Sequence, residues 1–208
     1  MRLAILGASG HGKVIADAAL LSGWSHISFF DDAWPALQSN GIWQVEGNTE
    51  NLIKNLSNYN GVIVGIGSNK IRSKKQSLLH QHNANLVTII HPKASVSPFA
   101  KVAEGCVVFA QAVINSFAEV QSGCIINSGA VVEHDSIVGN YCHISPNAVL
   151  AGGVKLGQQV WVGASSSVRQ CLSIGDFAVI GMGSVVTKNI PSQATVVGNP
   201  AKPLISGM

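Results

Sequence analysis

Charge is scarce in this chain. Asp, Glu, Lys and Arg make up 11% of its 208 residues, against about 25% in an ordinary globular protein. The charge present is not concentrated either. Residues 1–95 hold eight Lys/Arg and five Asp/Glu, and residues 96–208 hold five of each. The net charge of +3 is thus too thinly spread for a nucleic-acid footprint. Long hydrophobic runs are missing as well, since none reaches the roughly 18 residues of a membrane span. Met1-Arg2 leads straight into a short apolar segment and a Gly-rich turn, which is not the pattern of a signal peptide. The cytoplasm is the expected location, with neither nucleic acid nor membrane as a partner. Cysteine is limited to four residues, and a reducing compartment keeps such thiols free.

What is abundant is a repeat. An aliphatic residue stands at every sixth position from Val96 to Val186, sixteen in succession. Four residues after each comes a mostly small one, such as Ala112, Ala118, Ala130 or Ala148. A period of six matches neither a helix nor a half-buried strand. It is the pattern of a hexapeptide β-helix, in which short strands wind around one continuous core. Three hexads complete a coil, so residues 18 apart stack about 4.8 Å from one another. Cys106, Cys124 and Cys142 have that spacing and read as small buried core residues rather than as disulfide or metal partners. Thr187 to the C-terminus is expected to cover the end of the solenoid, with Pro191 and Pro200 stopping further strand pairing.

The first 90 residues follow a different rule. Strands are expected at 2–6, 26–30, 61–66 and 86–90. Helices are expected at 13–21, 49–56 and from about 69 to 82. The first helix should turn Val14, Ile15, Ala18, Ala19 and Leu21 inward. This alternation implies a small Rossmann-like parallel sheet, so the organisation is a βαβ domain over 1–90 and a β-helix with a C-terminal cap over 91–208. Ligands on such sheets bind at the carboxyl ends of strands. The turn Gly7-Ala-Ser-Gly-His-Gly12, the pair Asp31-Asp32 and the segment 65–69 all fall there. The turn can present backbone N–H groups to an anion, but its glycines have neither the dinucleotide spacing nor the Lys-Ser/Thr of a phosphate loop. The two aspartates suit the hydroxyls of a ribose or the edge of a base.

Within the repeats one segment breaks the neutral texture. Val132-Glu133-His134-Asp135 places an imidazole between two carboxylates, as a general base requires. One coil on stand Gly152 and Gly153. Glycine backbone beside the imidazole leaves room for a thioester, and a backbone N–H there can hold its carbonyl oxygen. His143 lies half a coil from His134, so the two would meet only across an oligomer contact, and no metal is expected.

Taken together these residues resemble one family. Its points of likeness are the opening Gly-Ala-Ser-Gly-His-Gly, Asp31-Asp32, Ile66-Gly-Ser-Asn-Lys-Ile-Arg72, His91-Pro92, Glu133-His134-Asp135 and the tail Gly198-Asn-Pro-Ala-Lys202. The chain is similar to the bacterial acetyltransferases of nucleotide-linked amino sugars, with sialic acid O-acetyltransferases as near relatives. The resemblance implies a left-handed β-helix, an exception to the usual right-handed crossover, and a homotrimer with active sites between subunits. It also implies acetyl-CoA as co-substrate. Ser9, Gly10, His11, Asp31 and Asp32 would hold the nucleotide sugar. His134 would be the general base, supported by Asp135 or Glu133; the family commonly has Glu where Asp135 stands. His143, Gly152, Ala164 and Met182 match positions that contact acetyl-CoA, with the Gly152 N–H on the oxyanion, and Asn127 matches an amide near the reacting centre. The expected reaction is N-acetylation of a UDP- or dTDP-linked 4-amino-4,6-dideoxy sugar. O-acetylation of sialic acid is the alternative, and a non-catalytic nucleotide-binding solenoid is the contrasting class.

Overall fold

The computed structural model describes residues 1–204 and divides into two compact units, Met1–Pro92 and one beginning at Lys93. The first unit is built on a three-stranded parallel sheet. Strand β1 (Arg2–Leu6) is central, between β2 (His26–Phe30) and β5 (Gly61–Val64). Leu3, Ala4, Ile5 and Leu6 are all buried, as a strand covered on both faces must be, so β1 reads as a continuous apolar run. Between β2 and β5 lie a short antiparallel ribbon of β3 (Ser39–Asn40) and β4 (Trp43–Gln44), and helix α2 (Thr49–Lys54). Helix α3 (Asn69–Gln81) follows β5.

Four local expectations are corrected. Helix α1 (Gly10–Leu21) starts inside the Gly-rich turn, three residues before Lys13. It buries Gly12, Ile15, Ala16, Ala18 and Ala19, while Val14 and Leu21 are exposed. At 3.6 residues per turn, Val14 and Leu21 share a stripe of their own, away from the one that meets the sheet. Helix α2 stops at Lys54 and passes into a 3₁₀ turn at Leu56–Asn58. The expected strand at 86–90 is reduced to a single bridge, Val62 to Leu86, and a two-residue strand, Ile89–Ile90.

The second unit is a left-handed β-helix of sixteen two-residue strands, from Ser95–Val96 to Val185–Val186. Each pairs in parallel with the strand 18 residues away, so that Ile114, Val132, Leu150, Val168 and Val186 form one column. Between strands the chain turns tightly, and every sixth residue from Gly105 to Gly183 has a positive φ. Glycine fills only some of these positions; Asp135 (φ 59) and Phe117 (φ 60) fill two others. Inside, Cys106, Cys124 and Cys142 are free and buried. Their thiols donate to Gln121 O, Gly139 O and Gly157 O one coil on, at 3.1, 3.1 and 3.0 Å.

Strand pairing does not stop at Pro191 and Pro200. Strand Thr195–Val197 pairs in parallel with Val179–Ile180, and Lys202–Pro203 returns antiparallel to it. The last step is 16 residues rather than 18, as Val179 faces Thr195. Both prolines lie in connecting turns, where no ladder donor is needed. Ile190, Val196, Ala194 and Ala201 join the core, so the segment from Thr187 closes the end of the solenoid. Residues 205–208 of that expected cover lie outside the described residues.

Candidate active site

His134 occupies the turn after strand Val131–Val132. Its backbone is fixed from both sides: Asp135 N–H donates to Ser116 O (3.2 Å), and Gly153 N–H donates to His134 O (2.9 Å). The positive φ of Asp135 is one that Asp tolerates better than most side chains. His134 Nδ1 and Asp135 Oδ2 lie 2.8 Å apart. A carboxylate can only accept, so in the neutral ring Nδ1 carries the hydrogen and Nε2 presents its lone pair. The bond to Asp135 raises the His134 pKa above its ordinary value, and the charges of Asp135 and Glu133 add to this. Glu133 does something else, accepting from the His134 backbone N–H through Oε2 at 3.3 Å.

Gly152 lies one coil on. A Cβ built there would stand 2.5 Å from His134 Nε2 and 2.6 Å from Cε1. The space left by the missing side chain is therefore taken by the imidazole itself. Among the described residues the Gly152 N–H makes no hydrogen bond within the chain.

A second cluster forms on another corner of the solenoid. Asn127 Nδ2 donates to His143 Nε2 at 3.1 Å. The His143 ring stacks on Trp161 at 5.6 Å and 11°, and Trp161 Nε1–H donates to Ser145 Oγ at 2.9 Å. Beside this stack runs an apolar groove of about 410 Å³, lined among others by Trp161, Ala164, Val179 and Met182. His143, Ala164 and Met182 thus converge, with Asn127 behind His143. Gly152 does not line the groove; it belongs to the corner of His134. Trp161 is the site residue that sequence reasoning left out, although its place one coil after His143 marks it.

In the first unit the three loops at the carboxyl ends of the sheet meet. Gly7 N–H donates to Phe30 O and Gly65 N–H to Leu6 O, both at 2.7 Å. Ala8 N–H donates to Asp31 Oδ2 at 2.8 Å. Gly7 and Gly12 are sterically required: a Cβ on Gly7 would reach Ile66 at 2.7 Å, and one on Gly12 would run into Gly7 O. Gly10 faces open space at the exposed start of α1, and the Ser9 carbonyl accepts from Asn40 Nδ2 at 3.1 Å. Burial, then the positive charge of Arg72, hold the His11 imidazole down at about 4, so it is neutral at pH 7. The two aspartates have different partners. Asp31 also accepts from Ala33 N–H, whereas Asp32 takes Thr49 and Lys75. Burial alone would raise the Asp32 pKa, but the bonds from Lys75 and Thr49 outweigh it and lower the value.

Arg72, unassigned from sequence, is 1% exposed. It donates to Ile66 O, Gly67 O and Asn69 Oδ1 at 3.0, 2.9 and 2.8 Å, so it clamps the loop after β5. Arg72→Met removes these bonds and leaves part-buried acceptors unmatched. It is expected to cost about 2–3 kcal/mol, read as a lower urea midpoint.

Among the described residues no group of three His, Cys, Asp or Glu is placed to hold a metal, and no helix is long and apolar enough to cross a membrane. The family model for the PglD N-terminal domain matches residues 2–79, and that for the bacterial transferase hexapeptide (six repeats) matches residues 117–152. The chain spans about a quarter of the length of the curated relatives it matches. One is the chloramphenicol acetyltransferase of Agrobacterium fabrum, 42% identical over 52 residues, 25% of either chain. Solved structures match far more. The acetyltransferase domain of PglB from Neisseria gonorrhoeae, in complex with acetyl coenzyme A, is 37% identical, covers 98% of each chain and has a TM-score of 0.93. PerB from Caulobacter crescentus, in complex with CoA and GDP-perosamine, is 33% identical over 98% of this chain and 97% of its own, with a TM-score of 0.92. These full-length matches, with the two models falling on the two units, show that the chain belongs to the family of bacterial nucleotide-amino-sugar N-acetyltransferases built on hexapeptide repeats.

Proposed function

We propose that this chain transfers the acetyl group of acetyl-CoA to the amine of a nucleotide-linked 4-amino-4,6-dideoxy sugar, with UDP or dTDP as carrier. The observation that carries this reading is the His134–Asp135 pair, with Nδ1 committed and Nε2 bare, on a chain similar along its whole length to enzymes solved with CoA and GDP-perosamine. The donor lies in the His143–Trp161–Met182 groove. His134 and that groove sit on different corners, so the reaction needs two copies of the chain, and a homotrimer supplies three equivalent sites. Ser9, Gly10, His11 and the aspartate loop hold the nucleotide.

In the reaction the amine nitrogen attacks the thioester carbonyl as His134 Nε2 takes its proton. Asp135 balances the imidazolium, and the unused Gly152 N–H suits the oxyanion. The C–S bond then breaks, the His134 imidazolium gives up its proton to the sulfur, and coenzyme A leaves as its thiol. The stiff solenoid supplies proximity.

The test is thiol release from acetyl-CoA with a panel of UDP-, dTDP- and GDP-linked 4-amino-4,6-dideoxy sugars and sialic acid. Release with one nucleotide amino sugar is the expected result and identifies the carrier. Release with sialic acid alone overturns the reading in favour of O-acetylation. Silence throughout, with no acetyl-CoA binding in calorimetry, returns the chain to the non-catalytic class.

A further inference from the structure

The groove beside Trp161 follows one sheet of the solenoid, and that sheet runs on past the groove. Side chains alternate along a strand, so two outward columns rise along the sheet. One is His143, Trp161, Val179 and Thr195, paired from strand to strand. The other stands two residues further on in each strand: Ser145, Gly163, Gly181 and Val197. A Cβ on Gly181 would reach Val197 Cγ1 at 2.6 Å, so Val197 stands directly over it. The last strand of the sheet is Lys202–Pro203, with Lys202 opposite Val197. Opposed residues project to the same face, so Lys202 tops the second column on the outside. Ser145, Gly163 and Gly181 of that column line the groove. Lys202 is exposed, and among the described residues no carboxylate pairs with it. Among the described residues it is also the only Lys or Arg in the strands of this sheet.

The groove has a direction. Its hydrogen-bonding side chains gather at the end nearer the start of the solenoid, where His143 bonds to Asn127 and Ser145 to Trp161. The polar thioester belongs at that end, and the pantetheine arm lies along the wall towards Val179 and Met182. Four strand steps lead from His143–Ile144 to Lys202–Pro203, which is roughly 19 Å at the usual strand spacing. An extended pantetheine arm measures about 16 Å from its sulfur to the first phosphorus by ordinary covalent geometry. The flexible lysine stem covers the difference. In the opposite direction the sheet offers Ile125, Val107 and Phe109, all buried, and no cation.

We infer that Lys202 anchors the donor by pairing its ammonium with the pyrophosphate of coenzyme A. This rests on the reading of the groove as the acetyl-CoA site and deepens it. An ammonium free of any carboxylate can give charge-assisted hydrogen bonds to phosphate oxygens, and the groove supplies no other charge to hold them.

The test is calorimetry of CoA and of 3′-dephospho-CoA with the full chain, which needs no knowledge of the sugar. Wild type, Lys202→Met and Lys202→Arg are compared. Methionine keeps an unbranched apolar stem and removes the charge. Lys202→Met is expected to raise the Kd for CoA about 10-fold, and Lys202→Arg to stay within about 2-fold of the wild type. The factor should be the same with 3′-dephospho-CoA. Added salt should weaken the wild type more steeply than Lys202→Met, since it screens an exposed pair. An unchanged Kd in Lys202→Met overturns the inference. A penalty that vanishes with 3′-dephospho-CoA also overturns it, by moving the contact to the 3′-phosphate. An equal penalty in Lys202→Arg would make the effect one of shape rather than charge and overturn it as well. If the wild type binds no CoA, the functional reading fails first and takes this inference with it.

Discussion

A His134→Ala variant will acetylate the nucleotide amino sugar at least about 100-fold more slowly than the wild type, with its assembly and its affinity for acetyl-CoA intact. The side chain is 64% exposed, so its loss opens no cavity and disturbs no core. The pH profile tests the same assignment from another side. Nε2 must be unprotonated to act, so kcat/KM rises with pH through the imidazole pKa and is lost as pH falls below it. The bond to Asp135 raises that pKa, which places the inflection above that of a free imidazole. Asp135→Asn removes the charge and keeps the shape; the inflection then moves down in pH and the plateau falls, because the ring is a weaker base. Measuring kcat/KM from pH 5 to 9 for the two proteins decides it. An inflection unmoved in Asp135→Asn separates the carboxylate from the base, and near-normal turnover in His134→Ala removes His134 from the chemistry.

The solenoid was legible in the sequence because its rule is one-dimensional. A residue 18 positions away is a neighbour in space, so Gly152 could be placed beside His134 and Trp161 beside His143 by counting. The same counting missed the positive-φ column. Gln111, Phe117, Tyr141 and Phe177 fill positions that the coil geometry, rather than residue preference, forces into that conformation. It also missed the shortened last step, since a 16-residue spacing leaves no six-residue mark. In the first unit the three strands of the parallel sheet were legible from apolar runs, and the loops fell at their carboxyl ends as expected. The partners were not legible. Nothing local in Asp31-Asp32 says that one aspartate accepts from Ala8 while the other takes Thr49 and Lys75. Nor does an Arg on a polar helix announce that it will be buried against two carbonyls. Such roles depend on contacts between segments far apart in the chain, where no periodicity operates.

Gly152→Ala puts the strongest geometric claim at risk with a single methyl group. The φ of Gly152 is not in the left-handed region, unlike that of Gly153 (φ 69), so alanine is compatible with the backbone. Replacing glycine at such a site leaves stability unchanged or raises it by a few tenths to 1 kcal/mol, through the unfolded chain. The added Cβ, however, would lie 2.5 Å from His134 Nε2, well inside van der Waals contact. The imidazole is exposed and can swing away at little cost. Its bond to Asp135 and its aim at the acceptor are then lost together. The expected result is a fall in kcat of about 100-fold, approaching that of His134→Ala, with an unchanged or slightly raised melting temperature. Combining the two changes should add little further loss, because the methyl group acts only by moving a ring that the double variant no longer has. Additive losses would mean that Gly152 works separately from His134, through its N–H on the oxyanion. Full activity in Gly152→Ala would mean that the ring keeps its place despite the methyl group, and that the close fit between the two coils is not what aims the base.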